Sequence, residues 1–400
     1  MRTEALWSTP ADDVATALVN LKAGTCVGIG SGEGTATVRL SEDIRAGHKF
    51  SVRPLVDGLR VRKFGEFIGR LTSGVEAGAL VHVHNLETCA RRDEANERLW
   101  MGEGETPVIV DVIGKRRATV GESPVWDGEA GILYWVDVRG EPAIFAHGPG
   151  ARDDVWPMPE DIGSVASATR GRLVAAMRSG FALFDPASGA LRPLHDPEPD
   201  LHENRLNDAK CDPAGRLWSG SMSPDSGLAA GSLYVLEGDL SCRRVAEGLV
   251  TPNGHAWSLD GSIMFLSDTR KGYIYAYAFD PRTGAVGERR VFADLGALPG
   301  GPDGATVDAE GFLWSAQFNG GCLIRLSPEG AIDRVVQLPV SKPTSCAFGG
   351  PDYGTLYVTT ATRGLDPAAL AAETHAGRVL ALDVGVKGLA PMKFDLCEDR

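Results

Sequence analysis

The sequence predicts an all-β protein whose residues from about 107 onward form a six-bladed β-propeller. The first observation behind this is the density of punctuating residues: 50 Gly and 24 Pro among 400, with no collagen-like period, imply many short elements joined by tight turns. The second is a repeat. A turn carrying Asp or Gly, followed by a short apolar run, occurs six times, and its last turn glycines are Gly131, Gly171, Gly215, Gly261, Gly311 and Gly354. The third is their spacing of 40, 44, 46, 50 and 43 residues, the length of four short strands with their turns and hence of one blade.

Each element follows from local chemistry. The copies read WDGEAGILYWVDV from Trp126, ATRGRLVAAMRSG from Ala168, CDPAGRLWSGSM from Cys211, WSLDGSIMFLSDT from Trp257, VDAEGFLWSAQF from Val307 and FGGPDYGTLYVTT from Phe348. In each, a glycine is expected to supply the positive φ of a hairpin turn, and the Leu, Trp, Tyr and Val that follow favour a strand. Further strands are expected between copies, as in GFALFDPASGALRPL from Gly180 and GYIYAYAFDPRTG from Gly272. The run at Pro107–Val112 is expected to pair with Gly377–Val384, so that both ends of the domain close the ring in one blade. A β-sandwich with insertions is the alternative, but it has no need of a sixfold period.

Composition narrows the function. Hydrophobic residues at 43% and charged residues at 23% are those of a globular chain. A net charge of −13 without long runs of one sign lacks the basic footprint of a nucleic-acid binder and would be repelled by an anionic membrane surface. Residues 1–106 carry 13 Lys/Arg against 15 Asp/Glu, leaving −11 for 107–400. No apolar h-region opens the chain and no apolar run approaches 18 residues, so neither an export nor a spanning segment is expected. Seven scattered cysteines without C-x-x-C indicate neither a disulfide framework nor a zinc ribbon, and a cytoplasmic protein is the reading.

In a propeller the innermost strand of each blade borders the central channel, so equal offsets from the turn glycines fall on one ring. Glu122 lies nine residues before Gly131, while Asn207, Asn253 and Asp303 lie eight before Gly215, Gly261 and Gly311. The equivalents in blades two and six are Gly163 and Cys346. Two carboxylates and two amides aimed at one centre suit a divalent cation with hard oxygen ligands; a soft-ligand zinc or copper site would draw on Cys and His. Taken singly, Asn253 and Asp303 each precede a glycine and could be turn formers.

Four long motifs stand in order: GESPVW at Gly121–Trp126, NRLNDAKCDPAGRLWSG at Asn204–Gly220, PNGHAWSLD at Pro252–Asp260 and GGPDGATVDAEGFLW at Gly300–Trp314. Over about 107–394 the chain resembles the regucalcin and gluconolactonase family of senescence-marker-protein and luciferin-regenerating-enzyme-like propellers. The resemblance implies one divalent cation (Ca²⁺, Zn²⁺, Mn²⁺, Mg²⁺ or Fe²⁺) and hydrolysis of sugar lactones. Carried over position by position, it implies Glu122, Asn253 and Asp303 as metal ligands, with Arg205 and Asn207 holding substrate. The chain departs from the family pattern at His255, where an apolar residue is usual, at Ser221 in place of Thr and at Ala209 in place of Gly. None is a ligand position, so these changes bear on substrate preference.

The first hundred residues are similar to a different family. Asp12–Thr25, Leu40–Val52 and Lys63–Glu87 resemble the small N-terminal domain of altronate and galactarate dehydratases, a β-rich fold of the SAF type, without the large domain that carries that family's chemistry. The expected organisation is a SAF-like domain over 1–88, a linker of mixed charge over 89–106 and the propeller over 107–400. His82 and His84 alternate along VHVHN, as on one side of a strand, and His48 follows a glycine turn. The three could bind a metal or an acidic ligand, or serve ordinary hydrogen bonding. GIGSGEGT at Gly28–Thr35 superficially suggests a phosphate loop, but it lacks the P-loop spacing and a following helix, and it reads as a hairpin tip.

The expected function is metal-dependent hydrolysis of an aldono- or aldarolactone in sugar-acid catabolism, with Asp303 accepting the proton of the attacking water. The expected partner is a small sugar lactone, not nucleic acid or membrane. Two alternatives stay open: a non-catalytic calcium or sugar-acid binding protein, and an accessory subunit of a sugar-acid dehydratase. Metal, lactone and oligomeric state are not determined by these residues.

Overall fold

The computed structural model describes residues 5–7, 12–31, 34–56, 59–63, 66–82, 85–88, 110–224 and 229–397. The chain divides into two compact units, Met1–Glu94 and Ala95–Arg400. The linker expected at 89–106 lies outside the described residues.

The first unit is built of short strands. Ala5–Leu6, Val14–Ala17, Lys49–Ser51 and Leu80–Val81 form one sheet, and Arg60–Lys63, Glu66–Leu71 and Leu86–Thr88 form another. Cys26–Ser31 and Gly34–Arg39 pair antiparallel, so the described part of the glycine-rich stretch, 28–31 and 34–35, lies on two paired strands. Val27, Ile29, Val38, Leu40 and Phe50 make one buried cluster, and Val14, Val61, Leu71 and Val81 a second.

The second unit is six four-stranded antiparallel sheets. Their innermost strands are Gly121–Asp127, Ile162–Ser167, Arg205–Cys211, Pro252–Trp257, Gly301–Val307 and Pro343–Gly349. Each packs against the next and the last against the first, so the six close into a propeller. Val110–Ile113 pairs antiparallel with Val379–Asp383 and completes the sixth sheet as its outermost strand, as the closing expectation requires. Among the described residues the one α-helix is Pro367–Ala372, and no helix is long and apolar enough to cross a membrane.

Hairpin chemistry repeats from blade to blade. Gly131, Gly171, Gly215, Gly261 and Gly311 all have positive φ, between 65° and 88°. The sixth hairpin differs: its left-handed residues are Gly350 and Tyr353, and Gly354 instead donates its N–H to Asp352 Oδ1 at 3.2 Å. In blades three and five the turn aspartate does two jobs, since one oxygen of Asp212 or Asp308 accepts turn N–H groups and the other accepts the buried indole N–H of Trp218 or Trp314 at 2.9 Å. The hairpin is thereby fastened to the packing between blades, where Trp135, Trp218 and Trp314 are fully buried.

Beyond the last strand the chain crosses the hairpin end of the channel. Ala309 N–H donates to Lys387 O and Gly388 N–H to Tyr353 O, on blades five and six. Phe394 then bonds Ser167 and Thr169, and Asp395 and Cys397 donate to Gly215 and Gly238, on blades two and three. Phe394 and Leu396 are fully buried anchors.

Candidate functional site

The opposite end of the channel carries the ring. Every innermost strand has a β-bulge near its start, at 122/125, 162/164, 206/209, 253/256, 302/305 and 343/345. A bulge re-aims side chains that a regular ladder would alternate across the sheet. Glu122, Asn207, Asn253 and Asp303 all sit in or beside these bulges, and all but the half-buried Glu122 are buried. Asn253 and Asp303 lie within strands, so they are not turn formers. The backbone adjusts accordingly: Ser123, next to Glu122, and Gly254, next to Asn253, both have positive φ, at 52° and 58°.

The amides and the arginine form one chain of hydrogen bonds. Arg205 Nη1 donates to Asn207 Oδ1 at 2.8 Å, Asn207 Nδ2 donates to Asn253 Oδ1 at 2.5 Å, and Asn253 Nδ2 donates to Thr269 Oγ1 at 2.8 Å. Glu122 Oε2 accepts from Ser123 N–H at 3.0 Å. Asp303 Oδ1 is buried without a hydrogen-bond partner, and so is Arg205 Nε.

Electrostatics sets the two carboxyls apart. Burial, then the charges of Asp303 and Asp208, raises the pKa of Glu122 well above the carboxylate range. Burial and the charge of Asp208 do the same to Asp303. Burial lowers Arg205 to about 10. Two acids whose charges act on each other and that resist ionisation, one with an orphaned oxygen, plus the amide oxygen of Asn253, are a donor set short of positive charge, and a hard divalent cation fits it. Among the described residues no three His, Cys, Asp or Glu side chains gather into a metal cluster; the third donor here is an amide.

The blade-two and blade-six equivalents need separate comment. A methyl group on Gly163 would overlap the carbonyl oxygens of Leu206 and Asn207, so glycine there lets blade two approach blade three. Cys346 is not at ring level. It lies past the bulge of its strand, paired with Val358, because the irregular sixth turn shortens the count back from Gly354. Ser345 is the residue packed against Gly304, beside Asp303.

Other residues emerge only in three dimensions. Asp208 accepts from Gly254 N–H at 2.8 Å and faces Nδ1 of the fully buried His255 at 3.4 Å. Burial alone would raise Asp208, but His255, Lys210 and the Gly254 N–H together hold it below its ordinary value. The departure at His255 therefore faces an aspartate. Arg139 and Arg178 pair with Asp161 at 3.0 and 2.9 Å, and their charges reach Arg205. Each follows the second strand of its blade, a shared position that could have drawn attention to them in the sequence.

In the first unit His82 is in a bend after Leu80–Val81, its N–H held by Asn85 Oδ1 at 2.9 Å, rather than on the expected strand. Its ring stacks on that of His48 with centroids 5.2 Å apart. His84 lies outside the described residues.

Residues 120–362 match the family described as the SMP-30/Gluconolactonase/LRE-like region, and residues 3–89 the altronate/galactarate dehydratase SAF domain. Regucalcin of Oryctolagus cuniculus is 37% identical over 281 residues, spanning 68% of this chain and 94% of that protein. A structure of a calcium-binding protein, regucalcin, from Agrobacterium tumefaciens superposes with a TM-score of 0.69 at 29% identity, covering 72% of this chain and 98% of that one. A gluconolactonase from Xanthomonas campestris superposes with a TM-score of 0.56 at 25% identity, covering 69% of this chain and 89% of that one.

Proposed function

Because the chain belongs to the SMP-30/gluconolactonase/LRE-like family, we propose that it hydrolyses a sugar-acid lactone at the bulged ring with the help of one divalent cation. The observation that carries this reading is the pairing of the half-buried Glu122 and the buried Asp303, two carboxyls held against ionisation, with Asp303 Oδ1 unpartnered. Glu122, Asn253 and Asp303 would hold the cation. When bound, a divalent cation supplies Lewis-acid polarisation of the lactone carbonyl, worth several kcal/mol of barrier.

The chain's own residues do the rest. Arg205 and Asn207 orient the substrate, Arg205 through the Nε–H that no protein group uses and Asn207 through an amide already fixed at both ends. Asp303, whose Oδ1 has no hydrogen-bond partner, would take the proton of the attacking water. The N-terminal domain, through its likeness to the SAF domain of sugar-acid dehydratases, supports a substrate among aldonate or aldarate lactones.

The test is hydrolysis of an aldono- and aldarolactone panel by purified full-length protein loaded in turn with Ca²⁺, Mg²⁺, Mn²⁺, Zn²⁺ or Fe²⁺. Turnover that disappears on chelation, and that Asp303→Ala reduces more than tenfold without loss of the folded baseline, is the expected result; a tenfold loss is ~1.4 kcal/mol of barrier. Cation binding without turnover on any lactone would leave a binding protein instead.

A further inference from the structure

One cavity of the propeller is lined by none of the ring residues. It measures ≈ 250 Å³ and contains none of Glu122, Arg205, Asn207, Asn253 or Asp303. It occupies the hairpin half of the channel, and its lining residues, such as Trp126, Trp257 and Phe348, lie several positions beyond the ring on their strands. At about 3.3 Å per residue those three lie roughly 10–15 Å from the ring, while Ser123 and Asp208, next to Glu122 and Asn207, bound the cavity on the ring side. The tail at Leu389–Met392 crosses this mouth, anchored on blades five and six before it and on blades two and three after it.

Three features mark the cavity as more than a packing defect. Its rim is apolar yet open: Leu259, Leu389 and Met392 are 52%, 50% and 46% exposed, a concentration of large exposed hydrophobics around one opening. Its wall contains three buried donors without partners, Trp126 Nε1, Trp257 Nε1 and Ser167 Oγ. Its wall also contains a cation, since the Lys210 ammonium spends one of three N–H bonds on Ala305 O at 2.6 Å. Asp208, in the same wall, is already engaged by Gly254 and His255.

We propose that this tail-covered cavity is a second ligand site, separate from the ring, that takes a small flat apolar monocarboxylate with its carboxylate on Lys210. A cavity of about 150 Å³ lined by apolar side chains holds benzene, so this one has room for a two-ring body of about a dozen heavy atoms. Of the possible head groups a carboxylate fits best: an ammonium would face Lys210, and a neutral hydroxyl would answer only one of its spare donors. Burial also lowers the pKa of Lys210, a cost that an anionic partner relieves.

Calorimetric titration of the full-length protein with 2-naphthoate and with 2-naphthalenemethanol tests this. Saturable binding of one naphthoate is expected, with the alcohol at least roughly tenfold weaker. Lys210→Met should bring the two ligands within about twofold of each other, and Ala347→Phe, which fills the cavity, should remove binding of both. Met392→Glu acts at the half-exposed rim, where folding is not at stake, and should weaken naphthoate alone. No saturable binding up to millimolar ligand, equal binding of acid and alcohol, binding unchanged in Ala347→Phe and Met392→Glu, or displacement by a hydrolysed sugar lactone would each overturn the proposal.

Discussion

Asn207 Nδ2 donates at 2.5 Å to Asn253 Oδ1, the same oxygen that would face a cation at the ring. The amide of one blade therefore orients the donor of the next, and Thr269 fixes that donor from its other side. Such supporting partners typically change metal affinity by 10–100-fold when removed. Asn207→Ala is expected to weaken Ca²⁺ or Mn²⁺ binding within that range by calorimetry, and to lower kcat/KM for a lactone further, because the spare lone pair of Asn207 Oδ1 is lost as a substrate contact as well. An Asn207→Ala protein with unchanged cation affinity would mean that Asn253 needs no orienting partner.

The raised pKa values of Glu122 and Asp303 make a stability prediction with a definite sign. A carboxyl whose folded pKa lies above its unfolded value keeps its proton in the folded chain over a window where the unfolded chain has lost it. Its stabilising contribution is full below the unfolded pKa and is lost as pH rises through the folded one. Cation-free wild type should therefore lose stability relative to Asp303→Asn as pH rises from the ordinary carboxylate range upward. Adding Ca²⁺ should reverse the order at the upper end, because the variant has lost a ligand. Urea unfolding at several pH values, with and without Ca²⁺, reads both halves; parallel curves for the two proteins would show that Asp303 ionises freely.

The repeat and the ring were readable in the sequence because both depend on local, periodic chemistry: a turn glycine, a strand after it and a fixed offset to the channel. That reading failed where the period was broken locally. Blade six turns through Tyr353 rather than Gly354, so the count landed on Cys346, one bulge too far along its strand. His82 was assigned to a strand by alternation, but Asn85 captures its backbone and ends the strand at Val81. Asp208 and Lys210 gain their places only from contacts between blades, which no spacing within one copy encodes. The cavity under the tail is of the same kind, since residues 389–392 carry no repeat signal.

Closure of the ring through Val110–Ile113 predicts where the chain can be shortened. Val110 and Val112 pack with Leu356, Leu380 and Leu382, and the whole strand pairs with Val379–Asp383. A fragment of residues 107–400 should fold and keep the wild-type unfolding transition of the propeller, whereas one starting at 116 should lose roughly 2–4 kcal/mol from the missing strand. Equal denaturation midpoints for the two fragments would show that the closing strand adds nothing to the sixth sheet.

The last prediction concerns substrate charge. At the ring, Nη1 is the nitrogen of Arg205 that bonds protein groups, to Leu206 O and Asn207 Oδ1, while its buried Nε has no partner. Arg139 and Arg178 share the single carboxylate of Asp161 close enough to depress Arg205, so this side of the mouth carries more positive than negative charge even in a chain of net charge −13. An aldarolactone brings a carboxylate that the Arg205 fork can hold through two parallel bonds; a neutral aldonolactone gains only hydroxyl contacts there. Acidic lactones are therefore expected to be turned over at least as well as neutral ones. Arg205→Lys should lower kcat/KM for a glucaro- or galactarolactone by at least roughly tenfold more than for a neutral aldonolactone, since an ammonium cannot reproduce the fork. Arg178→Ala, which leaves Arg205 in place, should shift the same ratio in the same direction but by less, because it removes charge without removing a contact. Equal losses on both substrates would show that Arg205 does not read the carboxylate, and a strong wild-type preference for neutral lactones would place the enzyme among aldonolactonases.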